Sequence, residues 1–154
     1  MPSFSIETLE NAMEAAIGQA NLALKAGEFP YGAVVIDPAG QIKAQAQDRV
    51  VRDNDPTRHA EIGAVRAGIR AIGPDLSGHA LISNVEPCAM CATAAWWANL
   101  DVIAFGISQI DLFSIRKDSM EEPGLSVQQC LAPFTRTIQI REGICKQRAT
   151  QLWT

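Results

Sequence analysis

The apolar positions of this chain change period several times, and each change marks an element. Ile6, Leu9, Met13, Ile17, Ala20 and Leu24 recur at helical spacing, which predicts a helix over 5–26 ended by Gly27. Ala33-Val34-Val35-Ile36 is a continuous apolar run suited to a buried strand, and Pro38-Ala39-Gly40 marks a turn after it. From residue 41 the pattern alternates. Ile42, Ala44, Ala46 and Asp48 fall on one face of a strand, and Gln41, Lys43, Gln45 and Gln47 fall on the other. An acidic residue thus ends an apolar face.

Further on, Asp55-Pro56-Thr57 reads as a helix start, with Ile62, Val65, Ile69 and Ile72 as the stripe that follows. Ala80-Leu81-Ile82 reads as a strand, and Pro87 suits the first turn of a helix running to about Asn99. Val102–Ile107 is a third buried strand. The pattern from Asp111 to Pro133 is weak and loop-like. Thr137-Ile138-Gln139-Ile140 suits a last strand, with a short helix near the end. Strands and helices that alternate in this way predict an α/β fold, a three-layer α/β/α sandwich rather than a bundle or an all-β domain. No repeat, low-complexity tract or linker interrupts the 154 residues, so 1–154 reads as one domain, long enough to bury a core without disulfides.

Composition narrows the partners. A formal charge of −4 gives no general attraction to nucleic acid or anionic membranes, and the slightly basic tail around Arg136, Arg141, Lys146 and Arg148 is too small a patch to change that. No apolar run approaches the roughly 20 residues of a membrane span, and the first residues lack the basic flank and apolar stretch of a secretory signal. The expected location is the cytoplasm, where four cysteines are better read as metal ligands, redox groups or core fillers than as disulfides.

Two of those cysteines carry the chemistry. Pro87-Cys88-Ala89-Met90-Cys91 puts two thiols three residues apart at a helix start, where they share a face and where the helix dipole favours thiolate. Upstream, His59-Ala60-Glu61 stands at another predicted helix start. If the two first turns meet, one imidazole and two thiolates can share a zinc ion. With 8 Pro and 4 Cys, chance yields Pro-Cys-x-x-Cys in roughly half a percent of shuffled chains, and adding His-x-Glu lowers that below about one in a thousand. A redox pair or a four-ligand structural zinc site is the competing reading, but His79, Cys130 and Cys145 lack helpful spacing. Three ligands with Glu61 beside them is the pattern of an open catalytic site. Zinc there acidifies a bound water to a pKa of about 7, and Glu61 is free to take that water's proton, pass it to a ring nitrogen and protonate a leaving amine.

The segments Asn54-Asp55-Pro56-Thr57-Arg58-His59-Ala60-Glu61 and Glu86-Pro87-Cys88-Ala89-Met90-Cys91 closely resemble the cytidine deaminase-like superfamily of zinc-dependent enzymes, nearest its bacterial guanine deaminase and tRNA adenosine deaminase branch. The resemblance covers about Phe29 to Phe105. Pro30-Tyr31-Gly32-Ala33-Val34 and Trp96-Trp97-Ala98 are similar to segments of the guanine deaminases. It implies a mixed five-stranded sheet between helices, a Zn²⁺ cofactor on His59, Cys88 and Cys91, and Glu61 as the catalytic acid–base. It also implies that Tyr31 stacks on the substrate ring, that Trp97 walls the pocket, that the Ala60 backbone N–H meets a substrate acceptor, and that the chain forms a homodimer.

One departure matters. Eleven residues before the zinc histidine the family carries an asparagine whose amide donates to a ring carbonyl, whereas this chain has Asp48. An ionised carboxylate only accepts, which disfavours guanine and favours a substrate offering N–H or NH₂ there. The expected function is hydrolytic deamination of an amino-substituted ring (a purine, nucleoside, pterin or triazine), releasing ammonia. The alternatives are a tRNA adenosine deaminase and, in a different class, an inactive zinc-binding assembly subunit, against which the intact Glu61 argues.

Overall fold

The protein is described by a computed structural model over residues 2–116 and 124–154. Ser5 opens the first element by accepting a hydrogen bond from the Thr8 amide, and α1 runs Ile6–Lys25. There follow β1 (Gly32–Ile36), β2 (Ile42–Gln47), α2 (Val50–Asp53), α3 (Ala60–Ile72), β3 (Ala80–Val85), α4 (Ala89–Trp97) and β4 (Val102–Ile107). The chain ends with α5 (Gln109–Ile115), α6 (Val127–Leu131), β5 (Gln139–Arg141) and α7 (Lys146–Gln151).

The five strands form one sheet in the order β2-β1-β3-β4-β5. Strand β1 is antiparallel to β2 and to β3, whereas β3, β4 and β5 run parallel, so the sheet is mixed. Its two faces follow from the period-2 geometry of strands. Ala33, Val35, Leu81, Ile103 and Phe105 point to the side covered by α3, α4 and α6. Val34, Ile36, Ala80, Ile82, Val102 and Ala104 point to the side covered by α1. That is the expected three-layer α/β/α sandwich. Edge strand β2 departs from the expected apolar face: Ala44 is buried against the α3 side, whereas Ile42, beyond a register shift opposite Val35 and Ile36, is exposed. No described helix is long and apolar enough to cross a membrane.

Four other elements differ from the sequence expectation. Helix α3 begins at Ala60, because Asp55 Oδ1 accepts from both the amide and the hydroxyl of Thr57 and closes a local turn instead of starting the helix. Helices α5 and α6 occupy parts of the stretch read as loop, of which 117–123 lies outside the described residues. Helix α2, only four residues long, has no periodic signature at all.

Candidate active site

The two sequence motifs meet at one end of the sheet. His59 is the N-cap of α3, Cys88 is the N-cap of α4, and Cys91 lies one turn into α4. His59 Nδ1 stands 3.5 Å from Cys88 Sγ and 3.6 Å from Cys91 Sγ, and the three ligand atoms all lie within 4.8 Å of one another. Zn–S and Zn–N bonds of about 2.3 and 2.0–2.1 Å at a tetrahedral angle put nitrogen and sulfur roughly 3.5 Å apart, so the trio fits a zinc ion.

The charges agree with a ligand set. The Cys88 thiol is held down to about 4, first by its hydrogen bond with Cys91 and then by His59, which makes it a thiolate at neutral pH. The same contact with Cys88 pushes the Cys91 thiol up, and the hydrogen bond to Cys88 raises His59. Binding a dication therefore requires Cys91 and His59 to give up protons, and metal uptake releases acid.

Glu61, in the first turn of α3, is buried, and that burial pushes its carboxyl above the usual carboxylate range. Ser83 Oγ lies 2.9 Å from Glu61 Oε1 and also within reach of the Val85 carbonyl, with one hydrogen to serve one of the two, while the Cys91 thiol is 3.5 Å from Oε2. Glu61 is thus beside the trio, with one oxygen held by a strand. The apolar run Ala80-Leu81-Ile82 that marks β3 ends before Ser83 and does not point to it. Two polar residues, Ser83 and Asn84, continue that buried strand and are the signal available.

A cavity of about 520 Å³ opens on this cluster, lined by Tyr31, Asp48, His59, Glu61 and Cys88 among others. Tyr31 meets Trp153 edge-on at 5.0 Å, and burial first, then Glu61 and Asp48, keep its hydroxyl protonated. Asp48 is 4% exposed, as the end of an apolar face should be, and its Oδ1 accepts from the Val50 amide at 3.0 Å. Burial raises its carboxyl from the ordinary range. Glu28, unnoticed in the sequence, is equally buried and accepts from the amides of Val51 (2.8 Å) and Arg52 (2.7 Å). Together these two carboxylates hold α2, which forms one wall of the cavity.

Opposite, Glu86 accepts from the amides of Gln109 (3.1 Å) and Val127 (3.4 Å) and so anchors α5 and α6 beside Cys88. Ala60 is fully buried between His59 and Glu61, at the first residue of α3, where an amide has no acceptor within the helix. Trp97 corrects an expectation, since it does not wall the cavity of its own chain. It lies six positions beyond Cys91, about 120° round the helix, and is 72% exposed. Its neighbour Trp96 takes the inward place, donating to the Arg136 carbonyl.

Residues 6–107 match the family model described as the cytidine and deoxycytidylate deaminase zinc-binding region. The chain belongs to this family. Its deaminase region is 41% identical over 103 residues to the tRNA(Ile)-lysidine synthase of Deinococcus deserti, a match covering 66% of this chain and 19% of that protein. It is 36% identical over 83 residues to the guanine deaminase of Bacillus subtilis, covering 53% of each. A solved tRNA:A34 deaminase superposes with a TM-score of 0.74 at 26% identity, covering 92% of this chain and 98% of that one. The chain spans 17–61% of the length of four curated relatives that it matches.

Proposed function

We propose that this deaminase-family protein is a hydrolase that removes an exocyclic amine from a small nucleobase-like ring as ammonia, acting as a homodimer in the cytoplasm. The observation that carries this reading is the position of Glu61. It is buried in the same cavity as the ligand trio, yet stands outside the trio. His59, Cys88 and Cys91 would hold zinc, which would supply hydroxide at neutral pH by acidifying a water.

The protein groups do the rest. Glu61, whose carboxyl burial holds above the ordinary carboxylate range, takes the proton of the attacking water. It passes that proton to the ring nitrogen, then takes the proton of the hydroxyl added to the ring carbon and delivers it to the departing amine, so that a carbonyl forms as the C–N bond breaks and ammonia leaves. Ser83 fixes the carboxyl through Oε1. Tyr31 supplies a ring face, and the free N–H of Ala60 suits a substrate acceptor.

The test is ammonia release by the zinc-loaded protein over a panel of purines, nucleosides, pyrimidines, pterins and triazines. Stoichiometric zinc with no ammonia from any ring overturns the proposal. Likeness to the tRNA:A34 deaminase favours a second reading, adenosine in tRNA, for which conversion should weaken steeply with salt. The net charge of −4 opposes that reading.

A further inference from the structure

Apart from the Tyr31 hydroxyl and the Ala60 N–H, the hydrogen-bond donors along the cavity's α2 and α5 walls are already taken. The Val50 amide is taken by Asp48, the Val51 amide by Glu28 and the Gln109 amide by Glu86. Gln109 Nε2 has two hydrogens, and they go to the carbonyls of Pro87 (3.0 Å) and Leu125 (3.1 Å), which leaves only its Oε1 for a ligand. Beyond the metal trio, Glu61 and the Tyr31 hydroxyl, the polar side chains of the lining are Asp48, Glu86 and Gln109. What they retain is acceptor capacity. Asp48 is the one nearest the Tyr31 side of the pocket: its amide donates to the Tyr31 carbonyl at 3.1 Å.

The Val50 contact decides what a carboxylate at position 48 can offer, compared with the asparagine that the family resemblance implies there. A side chain whose Oδ1 is pinned by the Val50 amide has one other head-group atom to offer. In an asparagine that atom is an NH₂, a donor. In Asp48 it is a second oxygen, an acceptor. One atom thus inverts the hydrogen-bonding sign of that edge while the backbone contact stays the same.

We infer that the pocket selects donor-rich rings: amino-azines whose edge toward Asp48 carries a second amino or ring N–H group, over the same rings with a carbonyl there. This rests on the deaminase reading and names its substrate class. A buried acceptor left facing a carbonyl has no partner, and sites built around one hydrogen-bond sign reject the opposite one strongly.

Matched ring pairs test it: guanine with 2,6-diaminopurine, cytosine with 2,4-diaminopyrimidine, and ammeline with melamine. Each pair is measured with the zinc-loaded wild type, Asp48→Asn and Asp48→Ala, by calorimetric Kd and by kcat/KM from ammonia release. The wild type should prefer the amino member. Asp48→Asn keeps the Val50 contact and should lower the amino-over-carbonyl ratio by more than tenfold in at least one pair, in Kd as in kcat/KM. Asp48→Ala should lose the preference without reversing it. An unchanged ratio in every pair, or a wild-type preference for the carbonyl members, overturns the inference and leaves Asp48 a cap for α2. Amino-selective binding without ammonia overturns the proposed function and supports the inference. Absence of both binding and turnover for every ring overturns the two together.

Discussion

Glu61 is held by contacts of unequal strength: a serine hydroxyl at 2.9 Å on one oxygen and a thiol at 3.5 Å on the other. Replacing it with Gln keeps shape and the Ser83 contact but removes the ability to accept a proton. Glu61→Gln should therefore retain one zinc per chain by metal analysis and an unchanged melting temperature, while kcat falls by roughly 10²–10⁴. Activity within about tenfold of the wild type would show that another group moves the protons. At this scale the ligands and Glu61 were legible, because zinc chemistry restricts both residue type and spacing, and Asp48 was legible as a polar end to an apolar face. Ser83, Glu28, Glu86 and Gln109 were not. Each has a defining partner 22 or more residues away, so their roles exist only once the sheet has formed. Trp97, expected at the pocket, stands outside its own chain's cavity because sequence likeness does not say which way the end of a helix faces.

Helix α2 shows why some elements escape a reading by period. Four residues cannot carry a stripe, and a single turn is unstable alone. It persists because carboxylates from outside it, on Asp48 and Glu28, accept its first amides. Glu28→Ala strands the Val51 and Arg52 amides and removes the ion pair with the Arg52 guanidinium at 3.5 Å. At roughly 1–3 kcal/mol per unpaired buried group, a clear fall in the urea midpoint is expected, together with weaker substrate binding because α2 walls the cavity. An undiminished midpoint would mean water replaces the carboxylate. The other end of α2 gives a pH signature. Asp53 bonds Arg49 twice and meets Arg58 at 2.9 Å, and the Arg49 hydrogen bond, first among the causes, holds its carboxyl below the ordinary range. A depressed folded pKa contributes stability above the ordinary carboxylate pKa and loses it as pH falls through the folded value. Asp53→Asn should thus melt below the wild type at pH 6, and the gap should close as both are taken toward pH 3. A gap that is constant with pH would show that the ion pairs contribute nothing. Long elements were readable for the converse reason: α1 and the strands β1, β3 and β4 carry their own burial pattern in sequence.

In the whole molecule, the sandwich and its single mixed sheet follow from alternating element types, whereas the strand order β2-β1-β3-β4-β5 follows from pairings that composition and period do not encode. The metal should be worth a measurable part of total stability. Ligand binding to the native state alone adds about 4 kcal/mol at a thousandfold excess over Kd, so chelation should lower the melting temperature and added zinc should restore it. Cys91→Ala should abolish both zinc retention and the response, and stoichiometric zinc in that variant would remove Cys91 from the ligand set. The placement of the ligands has a consequence for assembly. His59 and Cys88 are 29 positions apart, and the chain between them contains all of α3 and the central strand β3. An ion gripping both ends acts as a clasp on that span, shrinking the number of open shapes the unfolded chain can sample. Metal captured early would favour those collapsed forms in which the start of α4 already lies against the start of α3. The same ion that serves chemistry in the finished molecule would then help its central strand find its neighbours.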